Sequence, residues 1–175
     1  MLPRIVAVVM ALATLHGFQD APRLRQVAQD IWDASGTVQA FCGPAAREAT
    51  AWALVSIGDH ESGWDPRVQN CTWPRGNPAD SLWQLEGIVA RDGHTRAEVC
   101  SDNALAAQLA AKALGRFKRC GDLGCMFRGY ASGNTATQSK AARELESAFA
   151  LRISREGFTV SYVNGCLTAR LKGNP

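Results

Sequence analysis

Apolar residues recur at steps of three and four in separate segments of the chain, and this spacing limits the possible folds more than any other feature. Leu24, Val27, Ala28 and Ile31 form one set, and Ala49, Ala53 and Ile57 form another. Leu105, Leu109, Ala113 and Phe117 form a third, and Ala142, Leu145, Phe149 and Ile153 a fourth. In a helix each set lines one stripe, which leaves water only by packing on another element. The chain is therefore expected to be mainly α, a handful of helices around one core. Asp20 is placed to cap the first helix, with Pro22 in its first turn and Gly36 at its end. Ser101 or Asp102 can cap the third. From Gly63 to Asp80 the chain is rich in Pro, Gly, Asn and Asp and reads as loop; a short apolar stretch, Ser81 to Leu85, follows. Gly121 to Gly133 reads as a glycine-rich stretch. The tail differs: Phe158 to Val163 and Leu167 to Leu171 flank Asn164-Gly165, the dipeptide suited to a type I′ turn, so a small C-terminal β-hairpin is expected.

With 175 residues, 46% of them hydrophobic and 20% charged, the sequence fits one globular domain over 1-175. Its net charge of +3 favours approach to an anionic polymer without naming one. Lys and Arg are scattered and no nucleic-acid motif organises them, so no nucleic-acid partner is expected. Residues 1-16 read in two ways. Arg4 followed by Ile5 to Leu15 looks like a signal segment, with Ala11-Leu12-Ala13 as a cleavage site. The same residues suit an N-terminal helix, with Pro3 in its first turn and Gly17 just past its end. In either case the segment is too short to span a membrane. The six cysteines, an even number lying partly in polar loops, suggest disulfides made in an oxidising compartment, with the pairing left open. A zinc set of Cys100, Cys120, Cys125 and His94 matches no familiar spacing, and there is no Cys-x-x-Cys. No metal and no cofactor is expected.

The second apolar set continues, four residues on, to Glu61. A carboxyl at the rim of an apolar helix face is partly desolvated, which disfavours its charged form and raises its pKa. That is the setting of a general acid, a carboxyl that keeps its proton until it is needed. Three patches of functional residue types follow in order: Asp59-His60-Glu61-Ser62-Gly63-Trp64-Asp65-Pro66, then Ser81-Leu82-Trp83-Gln84-Leu85, then Tyr130-Ala131-Ser132-Gly133. The interval from Glu61 to Gln84 is 23 residues. Gln84 can both donate and accept hydrogen bonds, and so could orient Glu61 or hold a polar group of a substrate. Trp64, Trp73 and Trp83 are candidates to stack on a flat ligand face, although Trp83, inside the apolar patch, suits core packing better. Ser62 fits a turn-stabilising role better than that of a nucleophile, because no His and Asp are placed to activate it.

In this order and spacing, the patches resemble the lysozyme-like soluble lytic transglycosylase family. There a helix ends in Glu-Ser with a Pro soon after, a Gly-Leu-Met-Gln or Gly-Leu-Trp-Gln stretch follows, and a Tyr-Asn-Ala-Gly segment comes later. Glu61-Ser62, Pro66, Leu82-Trp83-Gln84, Tyr130 and Gly133 stand at matching places, within residues 45-135. The resemblance implies a lysozyme-like helical domain that cuts the MurNAc-GlcNAc β-1,4 bond of peptidoglycan. Glu61 would act first as acid and then as base while the muramic C6 hydroxyl attacks to give a 1,6-anhydro product. Gln84, Tyr130, Ser62, Ser81, Trp64 and Gly133 would contact the substrate, with Tyr130 also reaching Glu61. Ser81 replaces the usual Gly, and Ala131 the usual Asn, whose contact Asn134 could supply.

A hydrolase needs a second carboxylate. Asp59, Asp65, Asp80, Glu86 and Asp92 are the candidates, and none stands in a context that marks it. A muramidase and an inactive virion or envelope protein of this fold remain as alternatives. The setting expected is periplasmic, exported or virion-associated, with the glycan strand as partner and a phage virion or secretion machine as possible host assembly.

Overall fold

A computed structural model describes residues 1–73, 81–85, 88–133, 135–136 and 139–173. The chain is mainly helical, with one two-stranded antiparallel sheet at its C-terminal end. Residues 1-16 form helix α1 (Leu2–Leu15), and Ile5, Val9 and Ala13 on one of its faces are buried. Helix α2 (Ala21–Thr37) begins where expected: Asp20 accepts a hydrogen bond from the Arg23 amide at 3.2 Å, and Leu24, Val27, Ala28 and Ile31 are buried.

Helix α3 (Ala46–Ser62) corrects the sequence reading in one respect. It has no exposed face along most of its length, because Ala46 and every residue from Ala49 to Gly58 are buried. It is the central helix, in contact with α1, α2, the later helices α7 (Asn103–Gly115) and α9 (Lys140–Arg155), and the sheet. Its buried hydroxyls are satisfied locally. Thr50 donates to the Ala46 carbonyl and Ser56 to that of Trp52. Gly63, in the left-handed conformation at φ 54°, ends the helix.

The segment after Gly63, expected to be loop, contains a one-turn helix, α4 (Pro66–Gln69), capped by Asp65. Two further short helices, α5 (Ile88–Arg91) and α6 (Arg96–Ser101), precede α7. Of the two proposed caps for α7, Asp102 is the one used; it accepts from the Leu105 amide at 3.0 Å. The glycine-rich stretch is a helix as well, α8 (Leu123–Ser132). Gly129 in it is required by packing: a Cβ there would stand 2.4 Å from the Phe117 ring. Helical periodicity was masked because a glycine holds the place of an apolar side chain.

The tail forms the expected hairpin, β1 (Phe158–Val163) and β2 (Cys166–Leu171), turning through Asn164 and Gly165 at φ 50° and 79°. All six cysteines pair: Cys42 with Cys166, Cys71 with Cys100, and Cys120 with Cys125. The zinc alternative is thereby removed, since its three thiols are engaged. Cys42 also exchanges backbone hydrogen bonds with Leu167 and Ala169 at 2.8 Å, so β2 is fastened to the segment that enters α3. Among the described residues, no helix is long and apolar enough to cross a membrane.

Candidate active site

The last turn of α3 leaves the core and reaches a cleft of about 350 Å³. Glu61 and Gln84 line it, with Ile88 and Arg91 of α5, Ala113 of α7, Arg116 and Phe117 just beyond α7, and Gly129 to Gly133 of α8 and its end. The sequence patches that carry Glu61, Gln84, Tyr130 and Gly133 therefore meet at one place. Among the described residues, Glu61 is the only carboxylate of the cleft lining.

Glu61 is half-buried, and its carboxylate has no hydrogen bond or ion pair among the described residues. Burial pushes its pKa up from the ordinary carboxylate range, and the neighbouring His60 charge pulls it partly back. Around this bare carboxyl the backbone is tightly constrained. The Gln84 amide donates to the Glu61 carbonyl at 2.5 Å. Ser62 donates to the Gly58 carbonyl at 2.6 Å and accepts from the Trp64 amide at 3.2 Å, which is the turn-stabilising role expected of it. Two residues before Glu61, Asp59 pairs with His16 at 3.2 Å and Arg152 at 3.7 Å, so the residue just past α1 and helix α9 both grip the end of α3.

Three non-glycine residues next to this turn adopt the left-handed region: Trp64 at φ 66°, Ser81 at 69° and Gln84 at 48°. Each costs on the order of 1–3 kcal/mol and persists only where the surroundings over-determine it. For Trp64 those surroundings are clear. Its carbonyl accepts from Arg23 at 2.8 Å, and its ring lies so close to Gly58 that a Cβ there would stand 2.7 Å away. Sequence reasoning did not single out Gly58, although a glycine inside an apolar helix was a signal of such close approach.

Several expected roles change. Trp64 is 0% exposed, so neither face is open to stack on a sugar; it is a core residue that shapes the turn beyond Glu61. Ser81 is also buried, its hydroxyl facing the Trp83 amide at 3.4 Å, so it too supports the site from within. Trp83 is buried as favoured, its indole donating to the Leu54 carbonyl at 3.0 Å. Tyr130 lies under the cleft, but its hydroxyl donates to the Trp83 carbonyl at 2.9 Å instead of to Glu61. Burial, and then the Glu61 charge, push that hydroxyl's pKa well up, so it keeps its proton. Trp73 stacks on the Arg67 guanidinium at 4.3 Å and is not part of the cleft lining. Gly133 caps α8 at φ 67° and lines the cleft.

The candidate second carboxylates are mostly engaged elsewhere. Asp59 is in its ion pairs. Asp65 is bound by Arg67 through both oxygens, and although burial works to raise its pKa, those bonds outweigh it and hold the carboxyl low. Asp92 accepts from Arg116 at 2.6 Å and pairs with Lys112 at 3.2 Å. Asp80 and Glu86, like Asn134, lie outside the described residues. The sequence reading missed Arg91 and Arg116, which carried no motif; they enter the cleft only because α5 and the end of α7 converge there. No family model, curated protein or solved structure matches this chain.

Proposed function

We propose that this protein is a lytic transglycosylase that cleaves the MurNAc-GlcNAc β-1,4 bond of peptidoglycan, with Glu61 as its acid and base. The observation that carries this reading is the state of Glu61: a half-buried carboxyl with raised pKa and no partner among the described residues, at the wall of a cleft, on a backbone clamped by Gln84. A carboxylate that served the fold would be paired. One kept bare at a cleft is available to give a proton to a leaving oxygen.

Glu61 first protonates the glycosidic oxygen. As carboxylate it then takes the proton of the muramic C6 hydroxyl, which closes on C1 to leave a 1,6-anhydro end. The transglycosylase is preferred to the muramidase because no second carboxylate lines the cleft among the described residues. The three disulfides fit a protein made for an oxidising compartment, in keeping with an exported or virion-associated role.

The test is mass spectrometry of muropeptides released from purified peptidoglycan, with Glu61→Gln in parallel. Anhydromuramic ends from the wild type alone are expected. Reducing ends would mean a muramidase, and no release from a folded, oxidised sample would leave the inactive binding protein.

A further inference from the structure

The cleft brings together opposite charges. Glu61 lines it with no partner for its carboxylate among the described residues. Arg91 and Arg116 line it too, and burial and His60, not these arginines, shift the pKa of Glu61. Arg91 is exposed and makes no hydrogen bond or ion pair among the described residues. Arg116 is fixed in direction by Asp92, whose side chain is only 6% exposed. The other Asp92 oxygen is buried with no hydrogen-bond partner. Withdrawing a carboxylate from water in this incomplete way is costly. What it provides is a guanidinium held at the cleft wall, with N–H donors left over in the planar fork that matches a carboxylate. A cation past the end of α7 also suits the helix dipole, but that accounts for neither Arg91 nor the convergence of both on one cleft.

We infer that Arg91 and Arg116 form a subsite for a carboxylate carried by the glycan, which makes the preferred substrate a carboxylated strand instead of a neutral one. The inference rests on the glycan-cleaving reading above. A neutral N-acetylglucosamine polymer offers two guanidiniums hydroxyl and acetamide oxygens as acceptors but no charge to pair with. A muramic sugar carries a lactyl ether that ends in a carboxylate, either free or amide-linked to a stem peptide with carboxylates of its own. Either source supplies the same chemistry.

The experiment is calorimetric titration of Glu61→Gln, which cannot consume the ligand, with three glycans of equal length: an N-acetylglucosamine oligomer, a peptide-free muramic strand, and the strand with its stem peptides. Each is repeated with Arg91→Gln or Arg116→Gln added, at low and high salt. Carboxylated strands are expected to bind about 3- to 10-fold more tightly than the neutral oligomer, as for partly exposed ion pairs. That preference should shrink with either arginine substitution and with salt, while neutral binding stays constant. A preference for the peptide-free strand assigns the lactyl carboxylate, and one for the peptide-bearing strand assigns the stem. Equal affinity for all three, or a preference that survives both substitutions, overturns the subsite and leaves the glycan reading intact. Binding of no glycan overturns both. Arg91→Gln breaks no hydrogen bond or ion pair among the described residues, so it decides the matter even if Arg116→Gln fails to fold.

Discussion

Glu61 lines the cleft and Asp92 holds Arg116, which lines it too, and the fold treats these two carboxylates differently. Asp92 sits behind Arg116 and is paired with two cations, Lys112 and Arg116. Glu61 lines the cleft with no partner for its carboxylate among the described residues, while its backbone carbonyl is tied by Gln84. Among the described residues the Glu61 carboxylate has no partner at all, while Asp92 is paired through one oxygen and leaves the other buried and unpartnered. Support at Asp92 fixes a neighbour; support at Glu61 fixes the main chain and leaves the acid free.

The contrast is broken most severely at Glu61. Glu61→Gln keeps size and polarity but cannot deliver a proton, so wall cleavage should fall by about 10²–10⁴-fold with the circular dichroism spectrum unchanged. Retained cleavage would make Glu61 an ordinary helix-end residue. Gln84→Ala tests whether the main-chain tether matters. It removes the bond to the Glu61 carbonyl, and a loosened acid should cost about 10- to 100-fold in kcat, read from initial rates on a soluble glycan. Little change there would mean that Ser62 and the buried Trp64 hold the turn without help.

Asp92→Asn should lower stability by about 1–3 kcal/mol in urea titrations, since it leaves Lys112 and Arg116 without their counter-charge. A neutral result would place the pair among contacts that contribute nothing. The smallest effect concerns pH. Folding raises the Glu61 pKa, so the native state binds that proton more tightly than the unfolded chain does. Its ionisation therefore costs stability as pH rises from the ordinary glutamate range through the raised folded value. Glu61→Gln should melt higher than wild type at neutral pH, and the gap should close at about pH 3, below the unfolded glutamate value. The same direction predicts that cleavage declines as pH rises past the folded value, because the acid form is lost. A gap independent of pH would mean that burial does not govern this carboxyl.

Much of the architecture was legible because periodicity and punctuation are local. Asp20, Asp102 and Asn164-Gly165 act within a few residues of themselves, and each does what its position suggests. Helix α8 was not legible: Gly129 gives up its side chain to admit Phe117 from beyond α7, and no local rule carries that information. The same limit applied to Trp64. An aromatic next to a catalytic-looking glutamate reads as a sugar platform, yet Gly58 and Arg23, distant in sequence, draw it into the core.

The sequence by itself determined the helical class, the terminal hairpin, and the choice of Glu61 as the acid to examine, because each depends on residue types at short spacing. Only the tertiary structure decided which cysteines pair, that α3 is buried on every side along most of its length, that Tyr130 bonds to the Trp83 carbonyl, and that two arginines line the same cleft as Glu61. Those features are meetings between segments far apart in the chain. They depend on which surfaces the packed helices bring together, which the spacing within each helix does not specify.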